Sequence, residues 1–146
     1  MNDNLNKGIY RVTTPVEKIV TSLINISLTF VFLVPFIIAG FDVIELKLIF
    51  TGLFFMENLI SIMFNDYRLP GMVLQKTFWL KKYSKTHQLI HAVLYTASFS
   101  TILFWIWIPG DLLVMNLLLL QLPCVLVTKT TLHGLLAGYM MDVKQR

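Results

Sequence analysis

A chain of 146 residues that is 56% hydrophobic and 14% charged, with mean hydropathy +0.71, lacks the polar surface that a soluble domain of this size needs. Its net charge of +4 does not call for nucleic acid, because a basic excess in a membrane chain reports which loops stay inside. The single cysteine, Cys124, excludes an intrachain disulfide and any multi-thiolate metal site within one chain, and an apolar setting makes an inert thiol of it.

In chain order, four apolar stretches approach the roughly 20 residues a spanning helix needs. They run over about 19–39, 46–64, 89–108 and 112–127, with no linker, repeat or composition break between them. The expectation is one all-α membrane domain over residues 1–146, with four transmembrane helices. The first stretch is too long for a cleavable leader and no small-x-small site follows it, so it reads as a retained anchor. The fourth is short and holds Pro123, which predicts a kink. Eleven of the twelve Lys and Arg residues fall in the N-terminal segment, the middle loop and the C-terminal tail, leaving only Lys47 on the other side. The positive-inside rule then puts both termini and the middle loop in the cytoplasm. Trp105 and Trp107 sit at the outer interface, and Tyr10, Tyr67, Trp79 and Tyr83 at the inner one. Residues 73–82 carry no clean helical periodicity. The basic middle loop reads first as a topology signal and second as an attraction for anionic lipid, worth about 1 kcal/mol per basic residue.

Glu57 is the sharpest single feature. An ionised acid inside a span costs roughly 2.5–3.5 kcal/mol on insertion scales, so it must be protonated, paired or facing a wet cavity. Asn25, Ser61, His91 and Gln121 lie at similar depth, and Ser61 shares a helix face with Glu57. Two readings follow: polar glue between helices, worth on average about 0.6 kcal/mol per bond, or a hydrophilic pocket with an ion site at Glu57. No HExxH pair, G-x-S-x-G elbow or Walker loop occurs, so an enzyme is not expected, and neither is a cofactor or a metal site.

The stretch TTLHGLLAGYMM, residues 130–141, follows the fourth apolar stretch and stops five residues short of the end of the sequence. Its Leu132-His133-Gly134-Leu135-Leu136-Ala137-Gly138 resembles the closing turn of the RDD family of small bacterial integral membrane proteins, with Gly134 where the family has aspartate. Leu69-Pro70-Gly71 resembles that family's turn after the second span, with Met72 in place of lysine. Lys18 and Asn25 have the spacing of its arginine and aspartate entering the first span. The basic residue is kept in kind and both signature aspartates are replaced, which marks a divergent member. The resemblance implies a multi-pass protein of the bacterial cytoplasmic membrane. Small size and the lost carboxylates point to a non-enzymatic subunit or regulator of a transport or export complex, associating with other membrane proteins or with itself. The alternative is a homo-oligomeric cation or proton transporter using Glu57. The closing stretch itself has two readings, a turn packed under the bundle or an ordinary helix end with glycine caps. Residues 142–146, polar and terminal, are expected to be dispensable.

Overall fold

The computed structural model describes residues 9–104 and 121–145. Helix α1, Pro15–Ile38, opens on a reciprocal cap: Thr14 accepts from the Glu17 amide, the Glu17 carboxylate accepts from the Thr14 amide, and Pro15 sits in the first turn. Helix α2, Val43–Phe64, opens the same way through Asp42 and Glu45. Gly40, at φ +81°, lets the chain turn between them. Both helices are long and apolar enough to cross a membrane. Helix α3, Pro70–Leu74, is one turn and a half. Helix α4, Lys85–Phe104, starts four residues before the expected third span. Of the fourth expected span only the end is described, as α5, Leu122–Thr128, with Pro123 in its first turn. Trp105, Trp107 and the remaining parts of the third and fourth expected spans lie outside the described residues. The short α6, Leu132–Leu136, follows, with Thr131 as its cap.

The chain is mostly helical, with an addition that hydropathy does not foretell. Three short strands, β1 (Tyr10–Val12), β2 (Thr77–Trp79) and β3 (Asp142–Gln145), form an antiparallel sheet in the order β1-β3-β2. Val143 stands opposite Val12 on one side and Phe78 on the other. The terminal residues expected to be dispensable are therefore the middle strand of a sheet that joins the N-terminal segment, the middle loop and the C-terminal segment. The middle loop, where no periodicity was visible, is α3, a turn at Lys76 with φ 56°, and β2.

The buried faces follow helical spacing. On α1 they are Asn25, Thr29 and Leu33, and on α2 they are Phe50, Phe54, Asn58, Ser61 and Ile62. Away from the sheet, Phe54 packs on Tyr95 and Phe99 of α4 with ring centroids 5.1 and 5.2 Å apart. Toward the sheet, the interior becomes polar.

Candidate functional site: a polar core beneath the sheet

At the end next to the sheet, α1, α2, α3 and α4 meet around side chains that the interior between apolar helices does not ordinarily hold. Asn25 is fully buried, and its Oδ1 accepts the Gly71 N–H of α3 at 2.7 Å. That bond fixes the amide, so Nδ2 must point elsewhere as a donor, and it is buried without a partner. Thr29 Oγ1 lies 3.0 Å from the Asn25 carbonyl and 2.8 Å from Glu57 Oε2. A hydroxyl has one proton, so it serves both oxygens only by sharing. A neutral Glu57 carboxyl donating to Thr29 frees the Thr29 proton for the Asn25 carbonyl and satisfies both contacts. The other Glu57 oxygen, Oε1, is buried and has no hydrogen-bond partner. Tyr95 closes this side by donating to Ser22 Oγ at 3.0 Å.

A second chain of bonds lies nearer the sheet. Asn58 Nδ2 donates to the Phe54 carbonyl at 2.8 Å, which leaves Asn58 Oδ1 to accept from Tyr67 Oη at 3.2 Å. With the Tyr67 proton so used, His91 Nδ1, 2.5 Å from the same oxygen, must carry the hydrogen between them. Tyr67 is reached by a sharp reversal after α2, where Asp66 and Tyr67 both have positive φ. It stacks on Trp79 at 5.6 Å, and the Trp79 indole donates to the Tyr67 carbonyl at 2.7 Å. Burial raises the Tyr67 hydroxyl well above its ordinary pKa, so it stays a donor. The His133 ring completes the cluster, 4.7 Å from the His91 ring and 4.9 Å from Tyr95. Burial and the nearby Lys18 charge hold His133 down to about 3, so it is a neutral packing group and not a solvated interface residue.

The sheet is pinned to the bundle by charge. Lys18, with 9% of its side chain exposed, pairs with Asp142, whose other oxygen accepts from Thr13 at 2.6 Å. Glu17 takes both Arg11, at 2.6 and 2.8 Å, and Lys144, at 3.2 Å. The 130–141 stretch is a packed turn. A Cβ at Gly134 would lie 2.5 Å from Thr130 Oγ1 and 2.8 Å from the Met140 carbonyl, while Gly138 has φ +96° and faces the His87 ring. The Tyr83 hydroxyl accepts the Met141 amide and donates to the Tyr139 carbonyl, tying the turn to the start of α4.

Of the five residues grouped by depth, Asn25 and Glu57 meet through Thr29. Ser61 is buried one turn from Glu57, and its carbonyl accepts the Tyr67 amide. His91 belongs to the Tyr67 cluster. Gln121 does not join them, since its Oε1 accepts the Leu132 amide at 3.1 Å and so supports the closing turn. Sequence reasoning missed Thr29, Asn58, Tyr67, Tyr95 and Asp142. The four-residue step from Asn25 to Thr29 to Leu33 was the available signal for the first. Among the described residues, no three His, Cys, Asp or Glu side chains are placed to hold a metal ion. Cys124 is half-buried, with Thr128 Oγ1 3.5 Å from its sulfur. No protein-family model matches this sequence, and no curated protein or solved structure is detectably similar to it.

Proposed function

We propose that this chain is a non-enzymatic, multi-pass protein of a bacterial cytoplasmic membrane that serves as a subunit or regulator of a transport or export assembly. Its four spans leave both termini and the middle loop in the cytoplasm. The observation that carries this reading is how the polar interior is used. Asn25 holds α3, Asn58 and His91 hold Tyr67, and Gln121 holds α6. Groups committed to joining helices make a rigid end for a partner to read, and a conducting path needs groups free to exchange their ligands. The RDD-like reading is part of the proposal. Two of its motif positions, Asn25 and Gly71, are hydrogen-bonded to each other, and a third, Lys18, pairs with the strand that follows the closing turn.

Sidedness has a direct test. On a Cys124→Ser background, an impermeant thiol reagent should reach a cysteine at position 43 from outside the cell and fail to reach one at 82. Outside labelling at 82 overturns the topology.

A second reading, a homo-oligomeric cation or proton carrier, is favoured by one observation: Glu57 Oε1 and Asn25 Nδ2 are buried without partners. Mild-detergent purification separates the two. A stable foreign membrane partner, retained by Glu57→Gln, is the expected result, because a glutamine amide donates to Thr29 as a neutral carboxyl would. A pure homo-oligomer whose ion flux disappears in Glu57→Gln would replace the first reading with the second.

A further inference from the structure

Just beyond the ends of α2 and α4 lies an open groove of about 200 Å³, lined by Arg68, Lys81 and Lys82 against a single carboxylate, Asp66. Asp66 does not neutralise it. Among the described residues its one ion pair, to Lys82 at 3.5 Å, joins side chains 71% and 81% exposed, a geometry worth little in water. Arg68 has no carboxylate partner among the described residues. Its guanidinium lies 5.5 Å over the Phe78 ring, and its Nε is buried without an acceptor. Lys81 is likewise held over a ring, that of Tyr83, at 5.1 Å. A cation lying on an aromatic face is fixed in place while its N–H edge stays free, and a planar guanidinium so fixed suits the paired oxygens of a phosphate. The position of the groove narrows the source of that phosphate. Two residues before Asp66, α2 ends in Met63 and Phe64, which are 71% and 79% exposed. Lys85, at the start of α4, donates to the Ile62 carbonyl beside them, so the polar groove and this apolar helix end are neighbours. A ligand with a phosphate ester at one end and hydrocarbon at the other matches both.

We propose that this groove binds the phosphate of an anionic membrane lipid, with Arg68 and Lys81 on the phosphate oxygens and the acyl chains along the end of α2. This goes beyond a general attraction of the basic loop for a charged surface, because it assigns particular side chains. Trp79 lines the groove and serves as the reporter once Trp105 and Trp107 are replaced by Phe. The purified protein, in neutral micelles, is titrated with phosphatidylglycerol brominated on its acyl chains, with brominated phosphatidylcholine in parallel.

Saturable quenching of Trp79 by the glycerol lipid and much weaker quenching by the choline lipid is expected. Arg68→Gln and Lys81→Gln should each weaken the apparent affinity about fivefold, the effect of about 1 kcal/mol per basic residue. Lys129→Gln, outside the groove, should leave it unchanged. Thermal melts check that the variants fold, and should Arg68→Gln fail to fold, Lys81→Glu carries the same test with a larger expected loss. Equal quenching by both lipids, or equal losses from Lys129→Gln and the groove variants, would reduce the site to diffuse attraction and overturn the proposal. Full competition by millimolar glycerol 3-phosphate would assign the groove to a soluble phosphate ester and overturn the lipid assignment.

Discussion

Removing residues 142–146 should destabilise the purified protein severely, with about 3–5 kcal/mol lost from the stranding of Lys18 alone. The Lys18 side chain is 9% exposed and its partner is Asp142. Without that carboxylate a nearly buried ammonium has no counterion, and leaving one partner of such a pair behind is far costlier than never having built it. The deletion also removes both ladders of the sheet and the Lys144 contact to Glu17. Asp142→Asn separates these contributions, since it keeps the strand and removes only the charge. In detergent, thermal unfolding of Asp142→Asn should fall between the parent and the truncated chain. A truncated chain that melts with the parent would mean that the sheet and the Lys18 pair hold nothing together.

Gly71→Ala should be severely damaging for a single methyl, on the order of 3 kcal/mol. A Cβ there would overlap the Thr21 carbonyl of α1 and lie 2.9 Å from Asn25 Oδ1. The first obstacle is helix backbone, which cannot rotate away as a side chain would. Overpacking of this kind costs about 1–3 kcal/mol, and pushing Gly71 N–H off Asn25 leaves a buried acceptor unsatisfied for about 1–3 more. Gly52→Ala is the internal control. Nothing lies within 4 Å of its would-be Cβ, and alanine is the better helix former by about 1 kcal/mol, so it should be neutral or mildly stabilising. Equal melting temperatures for the two variants would refute the close approach of α3 to α1.

The long helices were legible from hydropathy, which found their ends near Gly40 and Phe64 but placed their starts at 19 and 46, later than the capped starts at Pro15 and Val43. The start of α4 was missed in the same way, because residues 85–88 are polar and a hydropathy reading discards them, although they continue the helix. The sheet was invisible for a different reason. Each strand has only three or four residues, too few to set a period of two, and the partners come from segments far apart in the chain. The polar core was half legible. Glu57 and Asn25 stand out in apolar runs, but depth alone grouped them with Gln121, which the chain spends on Leu132. Tyr67 and Trp79 were placed at a membrane interface, as aromatic belts predict. The positive φ at Tyr67, which turns its ring inward onto His91, has no signature in the sequence.

The order of the sheet also bears on how the protein is made. β3 is synthesised after both strands it joins, and it pairs with residues more than 120 positions earlier at β1. Until it emerges from the ribosome, β1 and β2 have no neighbour, and Lys18 has no anion to meet. Closure of that end therefore waits until the whole stretch between β1 and β3 has been made, and contacts so distant in sequence are slow to form. A chain stopped before residue 142 would carry its helices and an open end. The strand works as a late seal, closing this end of the bundle without any change in the long helices.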